Sequence, residues 1–182
     1  SNNVRRPVGS LTYTQMLNSR GGIECDLTVA RLGEEHYYIV TGTGFRTHDF
    51  AWIADHIAPG LDAKLEDVTE EIATLSLMGP RARVILAAVT DADVSAGGFR
   101  FGEARSIRIA GHKVTALRIT YVGELGWEFH VPVEQQVALL FLILFGLLGA
   151  ATATVFVRSF RSQDSDPLDK HPQLIRDLRA LW

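Results

Sequence analysis

The sequence predicts an α+β domain in which antiparallel sheets carry packed helices, and three observations predict it. Short runs of alternating apolar and polar residues recur with turn-forming residues between them, as half-solvated antiparallel strands require. Two stretches switch to helical spacing: Phe50, Ile53, Ala54 and Ile57 in the first, and Val84, Ile85, Ala88 and Val89 in the second. The composition, 47% hydrophobic and 21% charged over 182 residues, is that of a globular chain able to bury a core.

Taken in order, Gly9 to Leu17 and Ile23 to Leu32 are strand runs separated by Asn18-Ser19-Arg20-Gly21-Gly22, a hairpin signal. Period-two alternation in the second run puts Ile23, Cys25, Leu27 and Val29 on one face and Glu24, Asp26 and Thr28 on the other. Asp26 is therefore expected to point away from the apolar layer. After the Gly33-Glu34-Glu35 turn, Tyr37 to Thr41 reads as a third antiparallel strand, and a helix is expected from Thr47 to His56, stopped by Pro59-Gly60. Ala73 to Met78 alternates as a strand, and Gly79-Pro80 opens a second helix, with Pro80 suited to its first turn. Past Gly97-Gly98, strands are expected over Arg105 to Ile109, Val114 to Tyr121 and Trp127 to Val131. The apolar pattern relaxes between Pro59 and Thr69, so the chain divides into 1–65, 66–136 and 137–182.

The third part differs from the rest. Val137 to Val157 carries no charge over 21 residues, a length that fits a bilayer span or a buried helix followed by a strand.

The formal net charge of -3, with basic residues scattered, excludes an electrostatic footprint for nucleic acid. A single cysteine, Cys25, forms no internal disulfide, and the N-terminal SNNVRRPVGS lacks the apolar stretch of a secretory signal. A reducing compartment is expected, cytoplasmic, or the mitochondrial matrix in a eukaryote. No HExxH, CxxC, GxSxG or P-loop occurs, and the six histidines show no helical pairing, so no metal site is expected. The GxG of Gly42-Thr43-Gly44 lacks the third glycine of a dinucleotide loop. Carboxylates remain. Asp26 sits mid-strand, where aspartate is disfavoured, and Glu124 and Glu128 flank a glycine-rich turn beside Tyr121 and Trp127.

Two stretches, YTQMLNSRGGIECDLTVARL from Tyr13 and ITYVGELGWEFHVP from Ile119, resemble the "YTxxLNxxGGIxxDLxV" hairpin and "GYTGExGxEI" turn of the glycine cleavage T-protein family. LSLMGPRAR from Leu75 is similar to a third block of that family, and the wording is closest to the branch fused to sarcosine and dimethylglycine dehydrogenases. The resemblance implies an aminomethyltransferase folate-binding domain with tetrahydrofolate as cofactor. It implies Asp26 as the catalytic carboxylate, and Tyr121 and Glu128 as residues lining the folate pocket, a wall that Trp127 extends. It also implies a methylamine-derived iminium as the one-carbon donor, and a flavin domain carrying FAD outside this chain. Gly42 stands where the T-protein has an asparagine, as in the dehydrogenase branch. After Glu134 the family's "LRLExG" block is not recognisable, and the resemblance suggests a truncated fragment with an abnormal reading frame or gene end beyond about Gln136. Two other readings stay open. One is a non-catalytic, partner-binding relative, like the pyruvate dehydrogenase phosphatase regulatory subunit; the other is a membrane-anchored domain.

Overall fold

The computed structural model describes residues 1–144 and 146. It is an α+β arrangement of two antiparallel sheets with helices packed on their outer faces. The first sheet contains β1 (Leu11–Leu17), β2 (Ile23–Arg31) and β3 (Tyr37–Thr41) in that order. The β1–β2 hairpin is closed by Asn18, whose Oδ1 accepts from the backbone N–H groups of Arg20 and Gly22, both at 2.9 Å. Gly21 completes the turn at φ +82°, a conformation that favours glycine.

The hairpin departs from simple alternation at its tip. A bulge between Met16 and Leu17 shifts the register, so that Met16 faces Cys25 but Leu17 faces Ile23. Ile23 is thereby displaced from the apolar face on which alternation put it, and it stands 63% exposed.

Helix α1 (Arg46–Asp55) covers the Cys25–Leu27–Val29 face of the sheet through Trp52 and Ile53. Its buried residue is not one of the expected apolar set but Asp49, while Phe50 stays 38% exposed. The contact face is thus the i, i+3, i+4 set Asp49, Trp52 and Ile53. Arg46 anchors the following segment with ion pairs to Asp67 and Glu70, each at 2.6 Å. Hydrogen bonds from Thr69 and then Arg46 hold the Asp67 carboxyl well down, at about 2.

The second sheet has the order β4 (Ile72–Met78), β7 (Gly126–Pro132), β6 (His112–Leu117), β5 (Ala104–Ile109). Helix α2 (Ala82–Val89) packs on one face. Pro80 lies ahead of it in a turn closed by the Ala82 N–H on the Gly79 carbonyl, 3.0 Å, rather than in the first helical turn. The main core lies here, around Leu86, Phe99, Ile109, Val114, Trp127, Phe129 and Val131.

Strand β6 ends at Leu117, short of the expected Tyr121. Arg118 still exchanges backbone hydrogen bonds with Gly102 and Glu103, but the Ile119 N–H then turns back onto the Leu117 carbonyl at 3.0 Å. This three-residue turn directs the chain off the sheet.

The two sheets meet along a seam between β1 and β5. Ser10 bridges Glu103, the Leu11 N–H donates to the Gly102 carbonyl at 2.8 Å, and the Ala104 N–H donates to the Gly9 carbonyl at 2.7 Å. On the far side, the Tyr38 hydroxyl of β3 lies 3.0 Å from Nδ1 of His130 on β7.

The described part of the apolar run, residues 137–144 and 146, is helical. Leu139 and Ile143, one turn apart, are buried in the main core, whereas Val137, Leu140, Phe141 and Leu144 are exposed. For these residues the packed-helix reading holds, and among the described residues no helix is long and apolar enough to cross a membrane. The remainder of the run and the polar tail from Arg158 lie outside the described residues.

Candidate functional site

Alternation within the strands sets which side chains meet. On β2, Asp26, Thr28 and Ala30 point opposite to the α1-covered face; register puts Gln15, Tyr13 and Leu11 of β1, and Val40 and Tyr38 of β3, on the same side. Leu11 and Ala30 pack there against Ala104 and Leu117 of the second sheet, with Tyr38, Val40 and Ile119 around them. Glu128 is the register partner of Leu117, so Glu128 and His130 share that inward side of β7, while Trp127, Phe129 and Val131 point into the main core.

Asp26 and Glu128 therefore stand on the facing surfaces of the two sheets. Glu128, with 20% of its side chain exposed, lies at the level of the apolar contact. Asp26 is exposed, four residues from Ala30 along β2, or roughly 13 Å at the rise of an extended strand. The hydrogen bond from the Tyr13 hydroxyl to Asp26, with some desolvation, pushes that hydroxyl up, and Gln15 Nε2 donates to the same oxygen at 3.0 Å.

The other two expected site residues behave differently. Tyr121 lies beyond the turn at Ile119 and is 93% exposed, a ring free of the sheet. Trp127 is fully buried, edge-on to Phe99 with ring centroids 6.2 Å apart. The expectation that Trp127 extends a ligand wall is corrected: it is Glu128's neighbour along the strand, so the pleat sends the two side chains to opposite faces.

Sequence reasoning missed Tyr13 and His130 as neighbours of the carboxylates. Both follow from alternation: His130 lies two residues from Glu128, and Tyr13 sits diagonally across the ladder from Asp26. His130 is buried, its Nδ1 lies 3.0 Å from the Tyr38 hydroxyl and 3.2 Å from that of Thr74, and its Nε2 lies 3.7 Å from Glu128 Oε2. Burial, and then the Glu128 charge, push the Tyr38 hydroxyl up. A cavity of about 540 Å³ adjoins this cluster, with Tyr38, Thr41, Arg46, Asp49, Asp67 and His130 in its wall. Asp26, Tyr121 and Glu128 do not line it.

Behind the first sheet, Cys25, His48 and Asp49 bring a thiol, an imidazole and a carboxylate within 4.8 Å of one another. A search for paired histidines is blind to such a group, because its members come from β2 and α1. Burial first, and then Asp49, push the Cys25 thiol up to about 11. Iodoacetamide is accordingly expected to leave Cys25 unmodified in the folded chain at neutral pH and to label it after unfolding in urea. Rapid labelling of the folded chain, read by mass spectrometry, would contradict this placement.

The fold is that of an aminomethyltransferase-type domain, and sequence comparison bears this out. The GCVT N-terminal domain matches residues 1–145, so the chain belongs to that family. It is similar to the mitochondrial sarcosine dehydrogenase of Homo sapiens, 40% identical over 146 residues, covering 72% of this chain and 16% of that protein. It is 36% identical over 138 residues to the mitochondrial dimethylglycine dehydrogenase of Homo sapiens, covering 75% of this chain and again 16% of the relative. The chain thus spans only a small part of these relatives. Among solved structures it resembles the glycine cleavage system aminomethyltransferase T of Bartonella henselae, with a TM-score of 0.62 and 29% identity, covering 75% of this chain and 36% of that one.

Proposed function

We propose that this domain binds tetrahydrofolate between its two sheets and takes part in transferring a one-carbon unit from an oxidised methylamine of the sarcosine or dimethylglycine type. The observation that carries this reading is the placement of Asp26 and Glu128 on facing surfaces, with Val40, Leu117 and Ile119 in the apolar contact between the two sheets. The donor set fits the cofactor. A pteridine edge presents N–H donors that a partly buried carboxylate such as Glu128 accepts in a bidentate manner, and its flat faces suit the apolar side chains. Tetrahydrofolate, when bound, supplies the nitrogens that accept the one-carbon unit.

In this reading Glu128 binds and orients the cofactor. Asp26, at the wetter rim, acts as general acid-base toward a proton on the reacting nitrogen, with Tyr13 fixing its carboxylate. The exposed Tyr121 closes over the ligand from the loop between β6 and β7. Oxidation of the amine belongs to a flavin domain outside this chain. A reducing compartment, cytoplasmic or the mitochondrial matrix, suits the free, buried Cys25.

Calorimetric titration with tetrahydrofolate tests the reading. Glu128→Ala is expected to weaken binding by roughly tenfold or more, the scale of a hydrogen bond to a charged group. Asp26→Ala should change affinity less. If the wild-type chain takes up no tetrahydrofolate, the domain is instead a non-catalytic, partner-binding member of its family.

A further inference from the structure

We propose that His130 is a positioning residue for Glu128: the Tyr38 and Thr74 hydroxyls hold its Nδ1, so that its Nε2 proton faces the Glu128 carboxylate and aims it at the ligand. This deepens the folate reading and rests on it.

Three observations converge. The imidazole is 4% exposed, and its Nδ1 is met by hydroxyls from two different strands, β3 at 3.0 Å and β4 at 3.2 Å. Its Nε2 is buried with no hydrogen-bond partner among the described residues. The facing charged group is Glu128 Oε2, at 3.7 Å.

The tautomer follows from the hydroxyls. Tyr38 keeps its proton, because burial and the Glu128 charge both oppose its ionisation, and Nδ1 is the acceptor within reach of that proton. A neutral imidazole accepting at Nδ1 carries its own proton at Nε2. A ring serving only to tie β3 to β7 would need Nδ1 alone. A buried N–H left without an acceptor is costly, and a small rotation of Glu128 removes that cost by closing 3.7 Å to hydrogen-bond length. Hydrogen bonds of this kind are often long in the free protein and tighten when ligand is bound. With one carboxylate oxygen held by Nε2–H, the carboxylate plane is fixed toward the N–H donors of the ligand.

The test is calorimetry of the full 182-residue chain with 5-formyltetrahydrofolate, an air-stable reduced folate, on a set of variants whose folding is checked by thermal melting. His130→Gln places an amide N–H near the position of Nε2, whereas His130→Asn reaches only the position of Nδ1. His130→Gln is expected to bind within about threefold of wild type and His130→Asn about tenfold more weakly, the difference one charge-assisted hydrogen bond makes. Tyr38→Phe, which keeps the ring and loses the hydroxyl, should weaken binding by about threefold as Nδ1 loses its donor. In a Glu128→Gln background His130→Asn should cost nothing further, because the two residues act as one unit. Equal losses for His130→Gln and His130→Asn, or full additivity with Glu128→Gln, would overturn the positioning role while leaving the folate reading intact. If Glu128→Gln itself binds like wild type, the folate reading fails and the role of His130 falls with it.

Discussion

Trp127→Ala is expected to lower the unfolding free energy by about 3–5 kcal/mol, the range for removing a large aromatic from a packed core. The ring is fully buried, edge-on to Phe99, and two guanidinium groups lie over it, Arg118 at 4.4 Å and Arg83 at 5.7 Å. Truncation leaves a void and strips two neighbouring cations of the π-face they share. That second effect matters because burial, and then the charge of Arg83, already disfavour the charged form of Arg118. Urea denaturation measures the loss. Trp127→Phe should cost less, since it keeps an aromatic face, and Tyr121→Ala should stay within about 0.5 kcal/mol, as expected for an exposed site. If Trp127→Ala unfolded at the wild-type midpoint while weakening folate binding, the ring would belong to the pocket after all.

Asp49→Ala is expected to cost about 2–4 kcal/mol, because it removes a buried charged acceptor on which several donors depend. Asp49 is 3% exposed in the first turn of α1, where the helix dipole favours a negative charge. Burial by itself would raise its pKa, but hydrogen bonds from His48, Thr41 and Cys25 outweigh burial and hold the carboxyl below its ordinary value of 3.8. A carboxyl depressed in the folded state contributes stability that is fully present above its unfolded pKa and is lost as pH falls through the folded one. The stability gap between wild type and Asp49→Asn should therefore be widest near neutrality and shrink below about pH 4, the ordinary carboxylate range. A gap that ignores pH in urea titrations would show that the network does not hold a carboxylate.

The hairpin, the third strand and the outward aim of Asp26 are legible in the sequence because alternation is local, and the register shift falls on the turn side of Asp26. Ile23 is misread because the bulge at Met16 and Leu17 has no signal in composition. The same rule that places Glu128 on the inner surface, carried one residue back, would have put Trp127 in the core. Tyr121 departs from expectation because Ile119 turns back where β6 runs out of partners, a fact of the sheet rather than of the segment. The His130 and Cys25 clusters are assembled from strands and a helix far apart in the chain, so no spacing rule reveals them. The face of α1 is hidden for a related reason: a buried aspartate looks like solvent exposure until its donors on β2 and β3 are in place.

The seam between Ser10 and Glu103 has a kinetic consequence. Its halves lie far apart in the chain, so the loop between them must be closed before the contact yields any return, and such distant pairings form slowly. On the ribosome the amino-terminal hairpin emerges well before its seam partner, and the surface bearing Leu11 and Ala30 stays wet during that interval. The contact between the two sheets therefore comes into being only when the two halves dock, and any ligand that touched both would select and trap the docked form.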